Sequence, residues 1–324
     1  MRPNAPEPIR PAILRDGIMT PIKSGSLLLI AVLITLAATF GLSRPASALT
    51  GRISLEVGGA TRTALIIQHE RLKKSRRAVV IVLHGGKGYG ARLRHNLGLE
   101  DIIGSSSPVM VYPNAIGGNW NVSSSAAGRY DSEFIGDLIA KLVADGIADR
   151  HRIFLVGSSS GGLMALRLLC EHSSVFAGAA ILIASLPADL AQSCHLTHAL
   201  PFLLIAGTAD PAIPYDGGNA DLADNKSALL SVEDTVAIFA QAAHCEASKT
   251  TTEFPHHDAS GATHAFLEKF DGCKVPVELV RIEGGGHMIP GRWNGAERGR
   301  MTGPTNDDFD SALLIWELFR KAHG

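Results

Sequence analysis

A serine hydroxyl is a poor nucleophile at neutral pH until a neighbouring base takes its proton, so its surroundings decide whether it reacts. Ser159 stands at the centre of Gly157-Ser158-Ser159-Ser160-Gly161, a G-x-S-x-G pattern. In a chain with 34 glycines the bare pattern is weak. Its setting strengthens it. The apolar run Arg152–Val156 reads as a buried strand, and Leu163–Cys170 is rich in helix formers. Ser159 therefore falls on a strand–turn–helix corner, which lifts the hydroxyl above a sheet and aims the first helical N–H groups toward it. The flanking glycines suit a turn where backbones approach closely.

Thirteen histidines could supply the base. His287 is favoured because Gly284-Gly285-Gly286-His287 directly follows the strand-like run Val277–Ile282. His84 precedes two glycines after an earlier strand and is read as shaping that loop. His256, His257 and His264 lie with Asp258 in a polar insertion, where a solvated loop outweighs a metal site. The base needs a carboxylate to hold its tautomer and stabilise the imidazolium. Asp210 follows the apolar run Phe202–Ala206, with Asp216 as the nearest rival further into the loop. The order Ser159, Asp210, His287 is that of hydrolases built on a parallel sheet. A tetrahedral oxyanion would need two backbone donors: the N–H of Ser160, and one from Leu83-His84-Gly85-Gly86, with Gly86 favoured. This chemistry, acyl transfer through a serine, requires no metal and no organic cofactor.

The elements that must position these groups are legible as alternating patterns. Arg77–Leu83 is a continuous β-branched run ending in His84-Gly85-Gly86, and Val109–Tyr112 and Ala179–Ile183 are further strands. Helical spacing marks Asp131–Ile147, Ser231–Ala243 and Asp308–Lys321, the last with Phe309, Leu313, Trp316 and Phe319 on one stripe. Gly51–Gln68 reads as a hairpin about Gly58-Gly59. Strands alternating with helices predict an α/β fold, a mostly parallel, doubly wound sheet with helices on both faces. In such sheets the functional groups gather at the carboxyl ends of strands.

Composition narrows the partners. A formal net charge of −1 offers no basic excess for nucleic acid. Leu27–Leu42 is apolar and uncharged, Lys23 precedes it, and Pro45-Ala46-Ser47-Ala48 fits an A-x-A cleavage site. Residues 1–48 thus read as a signal peptide, with Met19 as an alternative start and an uncleaved anchor as the lesser reading. The mature chain, 49–324, is expected as a single domain, extracellular or periplasmic, with no stable membrane partner after cleavage. Four cysteines, Cys170, Cys194, Cys245 and Cys273, suggest two disulfides in an oxidising compartment, with three connectivities open.

At the level of whole motifs the chain resembles exported esterases of the polyhydroxybutyrate depolymerase type, related to feruloyl and acetylxylan esterases and built on the α/β-hydrolase fold. The resemblance rests on LHGG at 83–86, YPNAIGGNWN at 112–121, GSSSGG at 157–162, GTADPAIPYDGG at 207–218, EGGGHMIPG at 283–291 and IWELF at 315–319. It implies catalytic roles for Ser159, Asp210 and His287, oxyanion donors at Gly86 and Ser160, and a place near the substrate cleft for Trp120. It also implies a Cys245–Cys273 bridge, with Cys170–Cys194 as the accompanying pair. Its substrates would be esters of short 3-hydroxyalkanoates, acetate or hydroxycinnamate. Relatives carry Thr-Trp where this chain has Met288-Ile289, which alters the expected substrate preference. An acyltransferase and a non-catalytic exported binding protein are the alternatives on the same scaffold.

Overall fold

The computed structural model describes residues 48–69, 76–103, 108–123, 129–220, 228–257, 261–291 and 302–322. The expected export segment lies outside these residues, apart from Ala48. Twelve described strands are numbered in chain order: β1 (Ala48–Val57), β2 (Ala60–His69), β3 (Arg77–Leu83), β4 (Val109–Pro113), β5 (Ala148–Ser158), β6 (Gly178–Leu182), β7 (Phe202–Gly207), β8 (Gly218–Asn219), β9 (Ala228–Leu229), β10 (Lys249–Glu253), β11 (His264–Phe270) and β12 (Val277–Glu283). The α-helices are α1 (Gly90–Leu97), α2 (Leu99–Ile103), α3 (Arg129–Ala144), α4 (Ser160–His172), α5 (Ala188–Ala191), α6 (Val232–Ala242) and α7 (Ser311–Lys321).

Ten strands form one sheet in the order β1-β2-β4-β3-β5-β6-β7-β12-β11-β10. From β4 to β12 the neighbours are parallel. Both edges are closed by antiparallel hairpins, β1–β2 at one side and β10–β11 at the other. The first hairpin turns at Gly58-Gly59, as the sequence predicts; both glycines have positive φ.

The central strands are apolar throughout because both their faces are covered. In β3 every residue is buried. Val79, Ile81 and Leu83 pack in one cluster with residues of α3, α4 and α6. Ala78, Val80 and Val82 pack on the other face with residues of α1, α2 and α7. That alternation is the period-two geometry of a strand read against helices on both sides.

Three expectations are corrected. The polar insertion is not a loop throughout: Lys249–Glu253 and His264–Phe270 form the antiparallel edge hairpin. The last helix begins later and faces differently, with Asp310 accepting from the N–H groups of Ala312 and Leu313 as its N-cap. Phe309 therefore precedes it, Leu313 is 43% exposed, and the buried stripe is Ala312, Ile315, Leu318 and Phe319. Finally, β6 ends at Leu182, and Ile183 turns to positive φ. Both disulfides implied by the resemblance are present, Cys170–Cys194 and Cys245–Cys273.

Candidate active site

β5 runs straight into α4, and Ser159 is the hinge between them. Its φ of 54° and ψ of −123° are unfavourable for a side chain with a Cβ. The surroundings hold it there. Its N–H donates to the Leu182 carbonyl at 2.9 Å, and its carbonyl accepts from the N–H groups of Gly162 and Leu163. Both motif glycines are required by contact. A Cβ on Gly157 would lie 2.3 Å from the Gly161 carbonyl oxygen, and one on Gly161 would lie 2.3 Å from that of Leu83.

The next two groups arrive from the ends of β7 and β12, which pair in parallel. Asp210 is buried, and its Oδ1 accepts from the N–H groups of Ala212 and Ile213, each at 2.8 Å. Its Oδ2 lies 2.7 Å from His287 Nδ1. His287 Nε2 lies 2.8 Å from Ser159 Oγ. The imidazole thus bridges hydroxyl and carboxylate, with Nδ1 placed to hold its proton toward Asp210 and Nε2 to receive one from Ser159. Asp216, the sequence rival, is solvent-exposed and takes no part.

Around the Ser159 hydroxyl, Gly85 and Gly86 form the facing wall. A Cβ on Gly85 would stand 3.3 Å from Ser159 Cβ. Among the described residues the backbone N–H groups of Gly86 and Ser160 donate to no acceptor, which leaves both available to an oxyanion. The loop is held by His84, which the sequence assigns to it, and by two asparagines that sequence reasoning passed over. His84 is buried, its Nδ1 2.8 Å from the Gly85 carbonyl and its Nε2 accepting from the Ala115 N–H at 3.1 Å. Burial pushes its pKa below the ordinary 6.5, against the smaller opposing effect of the Gly85 bond. Asn119 Oδ1 accepts from the Lys87 N–H at 2.9 Å, and Asn114 Oδ1 from that of Gly90 at 2.8 Å.

Trp120, expected near the substrate cleft or else in a packing role, packs behind the cleft wall and is not part of its lining. It is buried, it donates from Nε1 to the His84 carbonyl at 2.9 Å, and its ring lies 5.2 Å from the His84 ring. The following residue ties the clamp to α3: the Asn121 N–H donates to Asp131 Oδ2 at 2.7 Å, while the other Asp131 oxygen pairs with buried Arg62. The 112–121 block was the signal for this clamp, but a motif says nothing of which carbonyl each side chain meets.

A cleft of about 280 Å³ opens over Ser159 and His287. Tyr89, Leu93, Ile183, Met288 and Ile289 give it apolar walls, and Met288-Ile289 occupies the place at which the sequence departs from its resemblance. The histidine cluster of the insertion lies elsewhere: His256 stacks on His264 with ring centres 4.6 Å apart, and His256 Nδ1 is 3.2 Å from Asp308 Oδ1.

A parallel sheet flanked by helices, with Ser159 on a strained elbow and imidazole and carboxylate delivered from later strand ends, is the arrangement of the α/β-hydrolase fold, and the chain has that fold. Its similarities are to esterases, feruloyl esterases among them. Residues 122–257 match the phospholipase/carboxylesterase family. NocK of Nocardia uniformis subsp. tsuyamanensis, classed as an esterase, is 28% identical over 66% of this chain and 66% of its own length. Feruloyl esterase B of Piromyces equi is 27% identical over 53% of this chain, which spans 31% of that longer protein. The acetyl xylan esterase of Aspergillus awamori superposes with a TM-score of 0.55 over 78% of this chain and 98% of its own, at 15% identity, a likeness of fold.

Proposed function

We propose that this protein is an exported serine esterase, in which Ser159, His287 and Asp210 hydrolyse carboxylic esters through an acyl-enzyme. The observation that carries the reading is the unbroken contact from Ser159 Oγ through the His287 ring to Asp210. His287 Nε2 takes the hydroxyl proton as Ser159 Oγ bonds to the ester carbonyl carbon. The carbonyl oxygen becomes an oxyanion facing the N–H groups of Gly86 and Ser160. Collapse expels the alcohol, which leaves with the proton from His287. Water, deprotonated by the same imidazole, then attacks the acyl-enzyme, and the acid departs as Ser159 regains its proton.

The small cleft, with apolar walls and the polar side chains of Arg92 and Asn96 beside them, suits an acyl group of modest size: acetyl, a hydroxycinnamoyl ring, or a single 3-hydroxyalkanoate unit of an oligomer. The names of the relatives favour the first two. Export is supported by the two disulfides, which belong to oxidising compartments.

Ser159→Ala is expected to lower kcat on p-nitrophenyl acetate by at least about 10³-fold with an unchanged circular dichroism spectrum. A fluorophosphonate should label the native chain stoichiometrically and this variant not at all. Full turnover by the alanine variant would remove Ser159 from the reaction. Comparison of methyl ferulate, acetylated xylan and hydroxybutyrate oligomers would then rank the acyl groups.

A further inference from the structure

At the opposite end of the sheet from Ser159 lies a second concavity, about 530 Å³ in volume. It is built from chain entering four adjacent parallel strands: Arg150 and His151 in early β5, Phe176 before β6, His198 and Pro201 before β7, and Lys274 to Pro276 before β12. The end of α7 adds Lys321. Its volume falls within the ~300–1,000 Å³ of ligand sites. Eight residue steps along β5 lead from His151 to Ser159, so the two sites stand roughly 25 Å apart at about 3.3 Å per residue. The groove therefore cannot hold the ester that reacts.

Charge is segregated there. Arg150, Lys274 and Lys321 are permanent cations, His151 and His198 stand among them, and among the described residues no carboxylate lines the groove. The chain as a whole carries a net charge of −1, so this is not general basicity. Among the described residues Lys274 and Lys321 form no ion pair, and Arg150 Nε is bonded only to His151 Nε2, at 3.0 Å. The rim is also fixed in place. Lys274 follows the Cys245–Cys273 bridge and its N–H donates to the Ala243 carbonyl, while the N–H groups of Thr197 and His198 donate to Ser173 Oγ. Apolar side chains line the groove beside the cations, Phe176 and Pro201 buried as its floor, Val275 half-buried and Pro276 exposed.

We infer that this groove binds a carboxylated polysaccharide, a uronate-bearing chain laid across the floor with its carboxylates on the cationic rim. A sugar ring presents C–H faces to an apolar floor and charged groups at its edge, which matches the distribution found here. The cations are few and come from separate segments. That arrangement suits one charge per sugar better than a nucleic acid duplex, with a phosphate charge every ~1.7 Å. A concave surface likewise mismatches a flat bilayer. The groove would tether the protein to a polymer while the distant cleft works on esters attached to it, and binding itself is independent of the hydrolytic reading.

Affinity electrophoresis of the whole chain through gels containing polygalacturonate at low salt tests this. Retardation is expected for the native protein and for Ser159→Ala, weakening as salt screens the charges. The pair Lys274→Glu/Lys321→Glu should raise the apparent Kd at least tenfold while leaving p-nitrophenyl acetate turnover unchanged. The pair Arg129→Glu/Lys141→Glu, of equal charge change on α3, should bind as the native protein does. The inference is overturned if the native chain is not retarded, if both pairs behave alike, or if duplex DNA or phosphatidylglycerol vesicles bind more tightly than polygalacturonate.

Discussion

His84 carries the proposed oxyanion loop, and its two ring nitrogens have opposite tasks. Because Nε2 accepts from the Ala115 N–H, the proton resides on Nδ1, which donates to the Gly85 carbonyl. Burial disfavours the charged ring and holds the folded pKa below 6.5, and protonation would in addition set an N–H against the Ala115 N–H. The sign follows from linkage. As pH falls through about 6.5 the unfolded chain takes up this proton and the folded one does not, so stability is lost below that value. At most about 1.4 kcal/mol per pH unit can come from one such group. His84→Gln, which keeps an acceptor but cannot titrate, should therefore show a shallower fall in urea midpoint between pH 7.5 and 5.5 than the native protein. Parallel falls in the two proteins would show that His84 does not titrate differently on unfolding.

Helix α7 shows at the level of an element where sequence periodicity stops being informative. Two overlapping apolar tracks run along it, one through Leu313 and Trp316 and the other through Ala312, Ile315 and Leu318. Spacing alone leaves their phase open, and the N-cap at Asp310 together with the groove between β6 and β7 selects the second. Ile315→Ala should then cost about 2–5 kcal/mol. Leu313→Gln, at an exposed site, should stay within about 0.5 kcal/mol. Urea titrations of the two variants measure the difference, and similar costs would contradict the observed phase. The edge hairpin was illegible for another reason. Every residue of β10 is exposed, so Lys-Thr-Thr-Thr-Glu offers no apolar alternation to betray a strand. The central strands were legible because burial on both faces makes each a continuous apolar run.

For the whole molecule, the sequence made the members of the parallel core visible but not their order, since a crossover leaves no local mark on the residues it joins. The meeting of Ser159, Asp210 and His287 was legible because each side chain sits just past one of those apolar runs. The clamp of Asn114, Asn119 and Trp120 was not, because it depends on which loops meet. The disulfides act at the same scale. Cys170–Cys194 joins the end of α4 to the chain beyond α5, and Cys245–Cys273 joins the chain after α6 to the approach to β12. Their sequence separations of 24 and 28 residues close loops of similar size. On loop-closure entropy each should stabilise the fold by roughly 3–4 kcal/mol. Neither bridge touches the Ser159 cleft, so their loss should affect stability before chemistry. Cys170→Ala/Cys194→Ala is therefore expected to lower Tm by roughly 10 °C. Its kcat on p-nitrophenyl acetate at 25 °C should stay within about twofold of the native value. An unchanged Tm would mean that the unfolded chain is already constrained there without the bridge, and a collapse of kcat at full stability would mean that α4 needs the tether to hold Ser159 in register.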